Sequence, residues 1–133
     1  MIVLVTGAAG MLGTDILAAV PDPNIEVVGA DLHEAPVHLD ITKPSSVAET
    51  FERLHPDVVI HCAAFTNVDK AEADAISAYR VNALGSWSVA TACSRVGAAL
   101  CYISTDFVFD GQTSAPYHEF NLPHPLNVYG ASK

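Results

Sequence analysis

The chain has 133 residues; half are hydrophobic, 16% are charged, and 15 Asp+Glu against 6 Lys+Arg give a formal charge of −9. That apolar fraction excludes a disordered chain, and the length suits one domain able to bury about 68–70% of its unfolded surface. The acidic balance argues against a nucleic-acid partner, which needs a basic patch, but not against a small nucleotide held by backbone N–H groups.

No apolar run approaches the roughly 18 residues of a membrane span, so no membrane partner is expected. The first twenty residues lack a positively charged start and carry Asp15, unlike a secretory signal. Cys62, Cys93 and Cys101 are an odd number with no CxxC. They read as free, mostly buried thiols in a reducing cytoplasm, which sets the expected location. The six histidines show no metal-ligand spacing, so no metal site is expected.

In chain order, Ile2-Val3-Leu4-Val5 is an apolar, β-branched run closed by Thr6-Gly7 and predicts a strand buried on both faces. A helix is predicted over residues 11–20, stopped by Pro21 and Pro23. Residues 25–30 form a second buried strand ending at Asp31, and residues 37–40 a short edge strand. Ser45 or Ser46 is placed to cap a helix running to Leu54, with Glu49 available for a capping box. Residues 58–62 form a third buried strand. Residues 71–96 read as one helix that Gly85 kinks or divides. A buried strand over residues 100–103 ends at Ser104-Thr105. Residues 110–126 are loop, and a helix begins near Asn127. Strands apolar throughout, alternating with helices, mean βαβ units. The fold class is therefore α/β, a doubly wound parallel sheet with helices on both faces.

Gly7, Gly10 and Gly13 stand three apart, between the first strand and first helix, with Met11 and Leu12 opening that helix. This is the place of a Rossmann-like phosphate turn: glycines let backbone approach a pyrophosphate, and the helix N-terminus supplies free N–H groups. A glycine-rich turn without a ligand is the plainer reading, and the strand before and helix after weigh against it. Asp31 lies 18 residues after Gly13, where a carboxylate accepts from an adenosine ribose 2′-OH and repels a 2′-phosphate. No Lys or Arg precedes Lys43, so NAD looks more natural than NADP. Asp40 and Ile41 either flank the adenine or form a plain turn.

Tyr129 and Lys133 are four apart, hence on one helix face. A nearby ammonium stabilises a phenolate and tunes the phenol for acid-base chemistry. Alone this pair would read as surface; beside a dinucleotide turn it reads as catalytic. The acids of residues 68–74 read as a solvated helix start, although residues 66–70 also suit a cleft wall. Trp87, Phe107 and Phe109 read as packing.

Thr6-Gly7 through Gly13, Asp31, Asp40-Ile41, Asn82 and Tyr129-Gly130-Ala131-Ser132-Lys133 resemble the extended short-chain dehydrogenase/reductases. More narrowly, PDVVIHCAAFTNVDKAE (residues 56–72), ISTDFVFDG (103–111) and PLNVYGASK (125–133) resemble the dTDP-4-dehydrorhamnose reductase family. The resemblance implies an enzyme using NADPH or NADH to reduce the C4 ketone of dTDP-6-deoxy-L-lyxo-4-hexulose to dTDP-L-rhamnose. It implies Tyr129 as proton donor and Lys133 as the group that tunes the tyrosine and holds the nicotinamide ribose. Thr105 would hydrogen-bond the substrate oxygen, with Asp106 beside it on the substrate. Ala63, Ala64 and Phe65 would line the cofactor.

Members of that family continue well past the lysine, so the resemblance implies that residues 1–133 are an N-terminal NAD(P)-binding part. The sugar-nucleotide pocket, and the surface of a possible homodimer, would lie mostly beyond. Two other readings share the motifs. A nucleotide-sugar epimerase or dehydratase usually carries SSxxVYG where this chain has Ser104-Thr105-Asp106-Phe107-Val108-Phe109-Asp110-Gly111. A non-catalytic dinucleotide-binding subunit, similar to the regulatory subunit of methionine adenosyltransferase, would not need Thr105, Tyr129 and Lys133 together.

Overall fold

A computed structural model describes residues 1–19 and 22–133. Five parallel strands form one sheet: β1 (Ile2–Thr6), β2 (Glu26–Asp31), β3 (Val37–His38), β4 (Val58–His61) and β5 (Ala99–Tyr102), in the order β3-β2-β1-β4-β5. β1 is central because it is the most apolar strand: Leu4 and Val5 are fully buried, and Leu4 pairs with Val28 on one side and Val59 on the other. The order reverses at β1, which opens a crevice at the carboxyl ends of β1, β2 and β4.

Helix α1 (Met11–Ala18) starts from Gly10 and ends at the cap Ala19, shorter than predicted; Val20 and Pro21 lie outside the described residues. Helix α2 spans Pro44–Leu54. Its start differs from expectation. Pro44, with φ preset and no N–H to satisfy, takes the first turn, and Lys43 is the cap without a side-chain bond. The predicted Ser45 or Ser46 cap with a Glu49 capping box therefore does not form. Val47 and Phe51 of α2 reach the core cluster with Leu4, Ile41, Val59 and Val89.

The single helix predicted over residues 71–96 is three helices and a wide turn: α3 (Val68–Ala73), α4 (Ala75–Tyr79), a π-helical stretch (Arg80–Gly85) and α5 (Ser86–Val96). Asp74 makes the break: its backbone leaves the helical region and its carboxylate accepts from Ser77 N–H at 3.1 Å, capping α4. The predicted division falls at Gly85, where the π-helical stretch gives way to α5; a Cβ there would stand 2.8 Å from Ile41 Cδ1, so the glycine also lets the helix pack on the turn after β3.

β5 was expected to be buried. It is the edge strand, and Ala99, Leu100 and Cys101 are exposed. The cysteines divide accordingly: Cys93 buried, Cys62 half-buried, Cys101 exposed. Trp87, expected to pack, is 65% exposed on α5. Phe109 does pack, stacked on Tyr117 at 4.2 Å.

Residues 110–126 are irregular as predicted. Asp110 organises them, accepting from the Tyr117 hydroxyl at 2.7 Å, Gln112 N–H at 3.0 Å and the His124 ring at 3.0 Å. The His124 bond, followed by those from Gln112 and Tyr117, holds the Asp110 carboxyl down to about 2. A last helix, α6 (Val128–Ser132), is capped by the Asn127 side chain, which accepts from Gly130 N–H at 2.7 Å. No helix among the described residues is long and apolar enough to cross a membrane.

Candidate active site

A cleft of about 610 Å³ opens at the carboxyl ends of the strands. Gly7, Gly10, Met11, Leu12, Gly13, Asp31, Asp40, Ile41, Ala63, Ala64, Tyr129 and Lys133, separated widely in sequence, all line it. At one end the turn from β1 into α1 is tight. Gly7 has φ +72°, where a side chain is strained, and a Cβ there would stand 2.5 Å from Ala63 N. A Cβ on Gly13 would collide with Gly7 O. Gly10 meets only Gly7 O, at 3.2 Å, and leaves the helix N-terminus bare toward the cleft. A turn of this shape could hold a phosphate group, which the N–H donors and partial positive charge of a helix N-terminus favour.

Asp31 stands across the cleft mouth. Its carboxylate accepts from Ala9 N–H at 3.1 Å and His33 N–H at 3.3 Å. It therefore ties the glycine turn to the end of β2 and keeps lone pairs for a ligand hydroxyl. Asp40 accepts from the Thr42 hydroxyl at 2.6 Å and Thr42 N–H at 3.0 Å, and pairs with Lys43 at 3.5 Å. The Thr42 hydroxyl holds its carboxyl below the usual range. Asp40 is thus a self-satisfied turn that also borders the cleft, which joins the two readings of its sequence.

At the other end, α6 brings Tyr129 and Lys133 to the floor. Tyr129 is nearly buried in a small cluster with Ala71, Ala78, Phe65, Val68 and Val128, and meets Phe107 edge-on at 5.7 Å. Gly130 permits this: a Cβ there would collide with Phe107 O. Val128 N–H donates to Glu72 Oε1 at 2.7 Å, fixing the helix start against α3. Buried Asn82, on the π-helical stretch, donates to the Ser132 hydroxyl at 2.9 Å and accepts from Phe65 N–H at 2.7 Å. The Lys133 ammonium donates to Ile103 O at 2.6 Å. Burial lowers its pKa, and the facing Tyr129 and Cys62 oppose that.

Three predicted residues stand apart from the cleft. Phe65 packs in the cluster around Tyr129 and acts on the site through its backbone bonds to Asn82. Thr105 caps the 3₁₀ turn Asp106–Val108, accepting from Phe107 N–H and donating to Asp106 at 3.1 Å. Asp106 borders a second cavity of about 510 Å³ with Phe107, Asp110, Tyr117 and Asn127. Conversely, Leu32, His33, Cys62, Val81, Ile103 and Ser104 line the cleft unpredicted. For Leu32, Cys62, Ile103 and Ser104 the signal existed: each stands at or just beyond the carboxyl end of a predicted strand, where α/β sheets bind ligands.

The family described as RmlD substrate binding domain matches residues 1–133. The chain belongs to that family. Among curated relatives, the dTDP-4-dehydrorhamnose reductase of Aggregatibacter actinomycetemcomitans is 42% identical over 98% of this chain and 43% of its own. The solved dTDP-4-dehydrorhamnose reductase of Bacillus anthracis, in complex with NADP, superposes with a TM-score of 0.93 at 42% identity, covering 98% of this chain and 45% of that one. The UDP-glucose 4-epimerase of Thermus thermophilus, in complex with NAD, shares the fold at TM-score 0.87 and 28% identity, covering all of this chain and 47% of its own. The RmlD-family chain thus spans less than half the length of these relatives.

Proposed function

We propose that this RmlD-family chain is the dinucleotide-binding part of an NAD(P)H-dependent reductase. Its substrate would be the C4 ketone of dTDP-6-deoxy-L-lyxo-4-hexulose, and its product dTDP-L-rhamnose. The observation that carries the reading is the meeting of Tyr129 and Lys133 with the Gly7–Gly13 turn and Asp31 in one cleft. The relatives' names and bound dinucleotides support the substrate and the cofactor. The glycine cradle would hold the pyrophosphate and Asp31 the adenosine ribose. Ala63 and Ala64 would flank the cofactor's middle. When bound, the reduced nicotinamide supplies a hydride for the carbonyl carbon. Tyr129 then gives its hydroxyl proton to the carbonyl oxygen, so that ketone, hydride and proton together make the alcohol. Lys133 has three donors and uses one on Ile103 O, leaving others for the nicotinamide ribose. Thr105 would exchange its contact with Asp106 for the ketone oxygen, and the cavity beside Asp106 would face the sugar. The remaining length of the relatives would supply most of the sugar-nucleotide pocket, and a reducing cytoplasm is the proposed setting.

The test is NAD(P)H oxidation by the full-length protein, with the dTDP-4-keto sugar from a preceding epimerase as substrate. Turnover to dTDP-L-rhamnose supports the reading. Cofactor binding without turnover of any nucleotide sugar would favour a non-catalytic subunit instead.

A further inference from the structure

Behind Lys133 lies a cluster, buried at His61 and half-buried at Ser86 and Tyr102, that the proposed chemistry does not use. His61, at the end of β4, is 1% exposed. Its Nδ1 meets the Thr6 hydroxyl at 2.5 Å and its Nε2 meets the Ser86 hydroxyl at 3.0 Å. Its ring lies 5.7 Å from the ring of Tyr102 on β5. The Lys133 ammonium stands over the Tyr102 ring, 4.5 Å from the ring centre. The Tyr102 hydroxyl donates to the Lys133 backbone carbonyl at 3.2 Å and also engages Ser86. Imidazole and ammonium therefore both meet the Tyr102 ring beside the cleft.

We infer that Tyr102 is a positioning residue for Lys133: its ring face holds the ammonium in line with Tyr129, and Ser86 and His61 hold the ring. The inference rests on Tyr129 and Lys133 being the catalytic pair. An ammonium on a flexible four-carbon stem has many rotamers, and a single bond to Ile103 O fixes only one direction. An aromatic face within about 6 Å attracts the cation from a second side, more strongly where water is excluded. The groups facing Lys133 are Tyr129 on its own helix, Cys62 and His61 from β4 and its end, and Tyr102 from β5. None competes as a cation: burial, then Lys133 itself, lowers His61 to about 4, so the imidazole is neutral.

The test compares Tyr102→Leu with Tyr102→Phe in full-length protein. The substrate-free readout is phenolate absorbance against pH, with each variant's Tyr129→Phe partner subtracted to isolate Tyr129. Tyr102→Leu removes the π-face, and the Tyr129 step is expected to rise by about one pH unit, a tenfold weaker acid. The alkaline limb of NAD(P)H-dependent reduction moves with it. Tyr102→Phe keeps the face and leaves the step in place. Ser86→Ala keeps the ring but frees it, and shifts the step the same way by less, which preserves the test if Tyr102→Leu does not fold. A Tyr129 step unmoved in Tyr102→Leu and Ser86→Ala, or moved equally in Tyr102→Phe, overturns the inference. A moved step without ketone reduction leaves it standing and defeats the reductase reading instead.

Discussion

The two ends of the cleft are built differently. At the glycine end, the seven residues from Gly7 to Gly13 make the site almost entirely from backbone: Gly7 and Gly13 remove Cβ atoms that would collide, and the α1 N-terminus provides donors. At the Tyr129 end, side chains from several distant segments must meet: Asn82 and Glu72 anchor α6, Phe107 sits over Gly130, and Ile103, Tyr102 and His61 surround Lys133. A backbone site is fixed by local sequence, whereas a side-chain site is fixed by tertiary packing. The first end is expected to govern dinucleotide binding and the second to govern rate.

The sharpest way to break that division is Tyr129→Phe. The ring and its packing survive and only the proton donor goes. Turnover of the keto sugar is expected to fall by roughly 10²–10⁴-fold, the usual cost of losing a general acid. Steady-state kinetics of the full-length variant at near wild-type turnover would remove Tyr129 from the mechanism.

The same contrast explains what was legible in the sequence. The placement of Gly7, Gly13 and Asp31 around one cleft was readable because spacing and strand ends fix it within one βαβ unit. The buried strands β1 and β4 were readable from composition, but β5 was not: an edge strand and a central one can share the same apolar letters. The break at Asp74 and the widening into a π-helical stretch before Gly85 escaped because helix propensity continues through them, and only tertiary contacts reveal why the helix yields. His61, Ser86 and Tyr102 escaped entirely. Each belongs to a different element, and no local pattern links them.

A second prediction probes the Tyr129 end through stability. The folded pKa of His61, about 4, lies below the ordinary imidazole value of about 6.5. The unfolded chain therefore binds more protons between those values, and stability must fall as pH drops through that window and level off below it. By about pH 5 the loss is on the order of 2 kcal/mol. His61→Gln, which keeps polar partners for Thr6 and Ser86 without titrating, is expected to flatten that part of the curve. Urea unfolding of both proteins near pH 7 and near pH 5 measures it; equal pH slopes would contradict the burial account.

Asp31→Ala probes the glycine end and is the smallest effect. Loss of the carboxylate is expected to weaken NADH binding roughly tenfold, as for a hydrogen bond to a charged group. NADPH binding should weaken less, because repulsion of the 2′-phosphate is relieved at the same time. Part of the loss should be common to both, since Ala9 N–H also loses its acceptor. Fluorescence titration with each cofactor gives the ratio, and identical losses would show that Asp31 acts only on the turn.

The central claim is that this cleft is a dinucleotide site whose phosphate end is made of backbone. Titration of NADPH and NADH into the full-length protein and its Gly13→Val variant, followed by nicotinamide fluorescence, tests it most directly. Saturable binding in the wild type, lost in a folded Gly13→Val because the side chain forces Gly7 O and the turn apart, is the predicted result. Undiminished binding in the variant, or none in the wild type, would contradict the account.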